Sequence, residues 1–480
     1  MITEAGIIFV VILISTAGIL AGRKVSSSSD FLTGGGKAST LLTTGAFLGI
    51  IGSQSTIGTA QLAFTFGLSA LWFTLGSALG LLAFGLFYAI PLRHSGCTTQ
   101  FQLIAREYGQ ASKKYGAILC TTGTFISVIA QVTACIGFIT ALYPSMSLFT
   151  ASALTVILMC LYIVMGGTWG AGMAGIVKTV LLYVTCMLCL ILVLVNGGGF
   201  HDAEELLCSG VLGPGLTHEA FSAQYLSMSA RGVLKDYGSC ISLILGVLST
   251  QTYMQYALSA RDDLTAKRSI FLAAALVPPV GIAGVFIGLF MRSHYILQGE
   301  VNVLASMHYA VPDMPVIAGT IQVFPVFVMN HVHPALSGIM LGTLLVTIVG
   351  GASGLLLGIS AILTEDICSV RKYKLLFSRM TIVLTLSVAA VIANIFPSHA
   401  INDLGFLSMT LRASVVYMPL TCAVWLKGRV KRGNVFASEI FAPLCAIVSA
   451  VIGLPVEPLF VGMGVSFVLV MAGLKFSSNG

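Results

Sequence analysis

The sequence predicts an all-α integral membrane protein of about 13 transmembrane helices, arranged as two inverted five-helix repeats with one extra helix before them and two after. Three observations carry the prediction. Only 9% of the 480 residues are charged, against roughly 25% in a soluble globular chain, while 57% are hydrophobic and the mean hydropathy is +0.98. The apolar residues form long unbroken runs, as helices that need about 20 residues to cross hydrocarbon would, whereas a membrane barrel shows short alternating segments. Two of the runs are interrupted by polar residues at matching places in the two halves. A soluble enzyme, a nucleic-acid binder and a porin are thereby excluded.

In chain order the apolar runs occupy approximately 5–22, 40–66, 69–91, 116–142, 146–165, 171–196, 237–258, 270–291, 335–363, 376–396, 403–426, 437–453 and 457–474. The first lacks a basic n-region and is followed by Arg23 and Lys24, so it reads as an uncleaved span with its N-terminus outside. On that orientation the inner segments are 23–37, 92–115, 166–170, 259–269, 364–375, 427–436 and the tail, which is cytoplasmic. Nineteen of the 24 Lys and Arg residues then lie on inner segments or at adjoining helix ends, as cytoplasmic flanks should. The net charge of +7 is therefore orientation and names no anionic partner. Outer segments carry Asp202, Glu204, Glu205, Glu219, Glu300, Asp313 and Glu457.

The chain reads as one membrane transport domain: 1–37 the first span and inner loop, 38–196 the first repeat, 197–236 an outer loop, 237–426 the second repeat, and 427–480 two further spans. The polar stretches at 197–236 and 293–333 exceed a simple turn, and each is expected to hold a short lid helix. Of the 11 cysteines, Cys120, Cys135, Cys160, Cys186, Cys189, Cys240, Cys422 and Cys445 fall within apolar runs and read as small buried hydrophobes. No Gly-rich phosphate loop ending in Lys-Ser or Lys-Thr occurs, so ATP hydrolysis is not expected to supply energy.

The second span carries Gly49, Gly52 and Gly58 around Ser53, Gln54, Ser55 and Thr56. Lipid does not tolerate unsatisfied backbone, so an interrupted helix at this depth lines a protein-enclosed cavity, where freed carbonyls bind a cation and half-helix ends hold a solute. Helix packing through small residues is the alternative. The seventh span is interrupted at Leu248 to Tyr256, where Gln251 and Gln255 share a helix face and bind either a solute or another helix. With the first span set aside, spans two to six and seven to eleven run in opposite senses, and each half begins with its broken helix. That correspondence points to a transporter's central site.

Six motifs in order then resemble the sodium/solute symporter family: Ser29 to Lys37 (SDFLTGGGK), Thr98 to Gly109 (TTQFQLIAREYG), Tyr162 to Gly170 (YIVMGGTWG), Gln255 to Lys267 (QYALSARDDLTAK), Ser360 to Asp366 (SAILTED) and Pro419 to Trp425. The resemblance covers nearly the whole chain. It implies the fold of the bacterial leucine transporter and alternating-access import of a small polar solute, usually driven by Na⁺. It also implies an ion position between the carbonyls of Leu48 and Ile51 on the broken helix and Thr347 on the second repeat, completed by a hydroxyl pair. That pair falls here on Gly350 and Gly351, which carry no oxygen, with Thr343, Thr347 and Ser353 nearby but off register. Na⁺ deprived of two of its ligands binds weakly unless water or a shifted hydroxyl replaces them.

A second departure lies on the sixth span, where Gly175 and Lys178 replace the family's usual Asp and Gln. An intramembrane lysine is costly and marks function by default. Lys178 reads either as a tethered substitute for the ion or a proton carrier, or as a side chain that snorkels to the cytoplasm. Arg412, with no acid within one turn, either holds a solute carboxylate or phosphate or ties down an unwound segment. Gln131 reaches the cavity or joins helices. His331 and His333 sense pH or sit at an interface, Pro278 and Pro279 should kink the eighth span, and Trp72, Trp169 and Trp425 read as interface anchors.

The expected function is secondary active import, by alternating access, of a small polar solute. Two cations at depth tilt the solute toward an organic anion or zwitterion. The solute-binding candidates are Ser53, Gln54, Ser55, Gln131, Gln251, Gln255 and Arg412, and the coupling-ion region is Leu48, Ile51, Thr347, Gly350, Gly351 and Lys178. The coupling ion is Na⁺ by family default, with a proton-coupled or facilitated, Na⁺-independent cycle as the alternative. No reactive constellation of an enzyme, no cofactor or metal beyond Na⁺, and no obligatory protein partner is expected. A transporter-like membrane sensor is the alternative of another class. The expected location is the cell membrane.

Overall fold

A computed structural model describes residues 2–164, 166–195, 225–306, 314–395, 401–454 and 456–474. Most of the 197–236 loop, with Asp202, Glu204, Glu205 and Glu219, lies outside the described residues, as does Asp313. The described chain is mostly helical, with one two-residue parallel strand pair, Ile296–Leu297 with Val316–Ile317, and isolated bridges at Ala38–Ala260 and Val430–Leu474. Every predicted apolar run contains helix. Among the described residues nine helices are long and apolar enough to cross a membrane, ten if the bent pair Val233–Leu248 and Gln251–Ser259 counts as one. Thr40–Gly49, Leu148–Ile163 and Pro458–Ala472 are apolar but shorter.

Seven helices frame the centre: α1 (Ile2–Gly22), α2 (Thr40–Gly49), α3 (Ile57–Phe66), α4 (Leu148–Ile163), α5 (Gly167–Val195), α6 (Val233–Leu248) and α7 (Gln251–Ser259). Beside them stand α8 (Asp263–His294), α9 (Pro334–Ile362) and α10 (Ile401–Trp425), together with the helices Trp72–Ala83, which carries Phe73 and Ser77, and Gln110–Leu142, which carries Gln131. Helix α9 is apolar on every side, and nearly every one of its residues is buried, as expected of a helix with no polar stripe to turn to solvent. Glycines let its neighbours approach: a Cβ on Gly338 would lie 2.3 Å from the Thr3 carbonyl oxygen of α1. Small residues of this kind drive packing where lipid removes the hydrophobic incentive.

Both interrupted runs break. After α2, Ile50 to Gly52 leave the helix, Ser53–Ser55 form one 3-10 turn, and Thr56 at φ −117°, ψ −87° leads into α3. Between α6 and α7 the axis bends by 49° at Ser249 and Thr250. Pro278 and Pro279 lie within α8, which continues through them as one helix. The expected lid region at 293–333 contains two short helices, Gln298–Ser306 and Val323–His331.

The sequence motifs meet one another at one end of the bundle. Gly34, Gly35 and Gly36 have φ of 63°, 64° and 68°, a left-handed run that only glycine adopts without strain. It turns the chain from the Ser28–Thr33 helix into α2. Asp30 caps that short helix together with Ser27, and hydrogen bonds from the Ser27 and Ser26 hydroxyls hold its carboxyl below the usual range. Thr168 Oγ1 and Gln255 Nε2 both donate to the Leu32 carbonyl, at 2.8 and 3.2 Å. Ala38 N donates to the Ser259 carbonyl and Arg261 N to the Ala38 carbonyl. Asp366 accepts from Thr99 Oγ1 at 2.9 Å and pairs with Lys113 at 3.2 Å.

Candidate functional site: a lysine at the helix break

The first break presents carbonyls that the helix no longer uses, and Lys178 takes two of them. Its Nζ donates to the Gly49 carbonyl at 2.8 Å and the Ile51 carbonyl at 2.7 Å, and the side chain is wholly buried. It does not snorkel. The approach of α5 to α2 depends on glycines: a Cβ on Gly175 would lie 2.0 Å from the Gly45 carbonyl oxygen. Gly175 therefore brings Lys178 within reach of the break. Charge-assisted bonds to the two carbonyls contribute roughly 1.5–3 kcal/mol each.

The second-repeat side of the site is shaped to this lysine. A Cβ on Gly350 would lie 3.1 Å from Lys178 Nζ and 3.2 Å from Tyr162 Oη. A Cβ on Gly351 would lie 2.5 Å from the Cα of Gly52, so α9 meets the break backbone to backbone. The hydroxyls that stand off register are engaged elsewhere. Thr343 and Thr347 donate back to Ile339 and Thr343, and Ser353 Oγ donates to the Gly350 carbonyl at 2.6 Å. Leu48 is likewise spent, because its carbonyl accepts from Ile51 N in the last turn of α2. The carbonyls that receive the cation are thus Gly49 and Ile51, one residue away from the expected Leu48 on one side.

Of the expected solute contacts, Gln54 and Ser55 line a cavity of about 40 Å³ beside the break, shared with Phe73, Ser77, Tyr253 and Met409. Sites for drug-sized ligands run to roughly 300–1,000 Å³, so this conformation is closed around the site. Gln54 Nε2 is buried without a partner among the described residues. The other candidates brace helices. Gln131 Oε1 accepts from Ser53 N at 3.0 Å and Ser53 Oγ at 2.7 Å. Gln251 Oε1 accepts from Gln100 N, and its Nε2 donates to the Thr98 carbonyl. Gln255 reaches Leu32, as described above.

Arg412 on α10 is also wholly buried, and it attends the second break. Its guanidinium donates to Thr250 Oγ1 at 2.7 Å, to Ser408 Oγ at 3.0 Å and to the Ser408 carbonyl at 3.2 Å, and it reaches Met409 Sδ at 3.0 Å. It does not line the small cavity, although Met409 and Tyr253 beside it do.

On the far side of α10 lies a larger cavity of about 820 Å³, whose walls include Arg231, Lys235, Asp403, Phe406 and Glu457. Phe406 meets Phe73 edge to face, with centroids 5.6 Å apart. Phe406 lines the large cavity and Phe73 the small one, so this contact joins their walls. Phe73, Met409 and Tyr162 were not singled out from sequence. Ser77 and Tyr253, polar residues inside apolar runs, carried a signal that the motifs overshadowed.

His331 sits apart from this centre. It stacks on Phe327 at 5.2 Å and meets Phe290 edge to face at 5.1 Å. Burial and the neighbouring His294 hold its pKa below the ordinary imidazole value.

Comparison with known proteins bears on the family and the fold. A family model described as the sodium:solute symporter family matches residues 31–438. The high-affinity choline transporter 1 of Drosophila melanogaster is 25% identical over an alignment of 307 residues that covers 59% of this chain and 46% of that protein. The match thus spans less than half of that relative's length. A solved structure of a Na⁺-coupled sialic acid symporter, substrate-bound and outward-open, superposes with a TM-score of 0.75 at 16% identity, covering 99% of this chain and 96% of that one. The fold is the leucine-transporter-like fold of these symporters.

Proposed function

The chain belongs to the sodium:solute symporter family and is a secondary transporter, not an enzyme, and from that premise we propose that it works without Na⁺ at the family's ion position, where Lys178 supplies the positive charge. The observation that carries the reading is the Lys178 ammonium on the Gly49 and Ile51 carbonyls, 3.1 Å from where a Cβ of residue 350 would stand. Gly175, Lys178, Gly350 and Gly351 act as a set. One glycine brings the lysine in, the lysine occupies the carbonyls, and the other two glycines leave out hydroxyls whose space is taken. A lysine, unlike Na⁺, carries its coupling proton with it and changes charge in place when desolvated.

The transported solute on this reading is a small organic anion or zwitterion. Lys178 and Arg412 place two positive charges near the cavity, with hydrogen bonds to carbonyls, hydroxyls and sulfur in place of carboxylates. Their field attracts a carboxylate and repels an unaccompanied cation. Gln54 and Ser55 are the solute contacts, while Ser53, Gln131, Gln251, Gln255 and Arg412 hold the frame. The solute enters from the larger cavity past Phe73 and Phe406 and leaves toward the motif-rich end. The reading includes 13 spans in two inverted repeats, the N-terminus outside, the C-terminus in the cytoplasm, and location in the cell membrane.

Proteoliposomes decide it. Uptake is measured over a panel of sialic acid, choline and neutral amino acids, with an inward Na⁺ gradient, an inward proton gradient or neither. The reading expects uptake that is unchanged when K⁺ replaces Na⁺ and that rises with an inward proton gradient. Uptake that requires Na⁺ refutes it.

A further inference from the structure

We propose that buried phenol hydroxyls, Tyr162 and then Tyr256, relay the proton of the Lys178 ammonium toward the cytoplasmic face. The inference deepens the coupling role given above to Lys178 and rests on it.

Gly350 and Gly354 lie one turn apart on the same face of α9, and together they form a groove. At the first, Lys178 Nζ and Tyr162 Oη stand 3.1 and 3.2 Å from the position a Cβ would take; at the second, Tyr256 Oη stands 3.2 Å away. Tyr162 comes from α4 and Tyr256 from α7, so two separate helices aim a hydroxyl into one groove of a third. Tyr162 is 2% exposed and Tyr256 0%. Neither hydroxyl has a hydrogen-bond partner among the described residues, and neither does Oε1 of Gln255 on the same turn as Tyr256.

A buried polar atom left without a partner costs about 1–3 kcal/mol, and native structures retain few. The two glycines stand one helical turn apart along α9, about 5.4 Å, and on this proposal bridging water links the two hydroxyls. Gln255 closes the inner end, where its Nε2 donates to the Leu32 carbonyl at 3.2 Å, and Arg379 stacks over neighbouring Phe31 at 5.8 Å.

Residues 40–49, 148–163, 251–259 and 334–362, four of the segments packed about the groove, contain no Asp, Glu, His, Lys or Arg, while Lys113, Lys114, Lys374 and Arg379 stand on the helices 110–142 and 374–395 that also pack against α9. Lys178 is the one charged residue of α5. In the release step an N–H bond of the ammonium breaks and its electron pair stays on Nζ. Each hydroxyl and bridging water accepts one proton on a lone pair and passes its own onward, so the tyrosines end unchanged and one proton reaches the inner face. The amine left behind keeps N–H donors for Gly49 and Ile51.

The test is solvent exchange of the Lys178 Nζ protons, followed by NMR on protein carrying isotopically labelled lysine, with the resonance assigned by its loss in Lys178→Arg. Tyr162→Phe with Tyr256→Phe keeps both rings and removes both hydroxyls. The double variant is expected to slow exchange about tenfold or more, and each single variant to slow it in part, so that a poorly folding double variant leaves the singles to decide. Tyr183→Phe, whose hydroxyl donates instead to the Leu276 carbonyl, is expected to change nothing. Wild-type exchange in folded single and double variants, together with Na⁺-independent uptake, overturns the relay alone. Strict Na⁺ dependence of uptake overturns the coupling reading and the relay with it.

Discussion

The two helix breaks each hold a buried cation, and they use it differently. At the first, a lysine sets a compact charge on two backbone carbonyls at 2.7 and 2.8 Å. At the second, an arginine spreads its donors over Thr250, the hydroxyl and carbonyl of Ser408, and Met409. A point charge on carbonyls imitates a bound ion and can lose its proton. A planar fork braces several groups at once and stays charged at every physiological pH. The difference separates a coupling position from a structural one.

The largest expected effect comes from removing the point charge. Lys178→Ala leaves the Gly49 and Ile51 carbonyls without a partner and forfeits about 3–6 kcal/mol of charge-assisted bonding, so solute uptake in proteoliposomes should fall by two or more orders of magnitude. Wild-type uptake in this variant would erase the contrast between the breaks. The glycines sharpen it further. Gly351→Ser drives a Cβ to 2.5 Å from Gly52 Cα, and little folded protein should survive size-exclusion chromatography. Gly350→Ser meets mainly the lysine's flexible end, so it should be tolerated once Lys178 is shortened to Ala.

Arg412→Lys should have a smaller effect of another kind. It keeps the charge and loses the fork, which lowers stability by about 1.5–3 kcal/mol through at least one charged hydrogen bond, read as a drop in Tm. Solute KM should stay unchanged. A large rise in KM with Tm intact would move Arg412 from brace to solute contact.

The smallest effect concerns His331, far from both breaks. Its pKa is held below the ordinary value of about 6.5 by burial and by His294, so the folded protein binds this proton less readily than the unfolded chain does. The associated stability is fully present above about pH 6.5 and is lost as pH falls through the lowered pKa. Thermal melts should show this decline below neutrality, and His331→Gln should flatten it.

Much of the architecture was legible because hydrocarbon imposes run length and forbids unsatisfied backbone, which makes a polar interruption such as Ser53 to Thr56 conspicuous. The ion position was legible through departures: Gly175, Lys178, Gly350 and Gly351 stand where other residue types are expected. The register of the carbonyls was not, because the last turn of α2 closes on Leu48 and passes the free position to Gly49. Spacing places Gln251 and Gln255 on one face but does not say what that face meets, and they meet Thr98, Gln100 and Leu32. Phe73 and Met409 were invisible for the opposite reason, since an apolar residue in an apolar run looks the same facing lipid or facing solute.

The central claim is that Lys178 stands where a sodium ion would. Equilibrium binding of radioactive sodium to the purified protein, with no solute present, tests it most directly. The account predicts no saturable sodium binding that depends on the first break. Saturable binding by the wild type that disappears when the break is altered at Gly52 or Ile51 would contradict it.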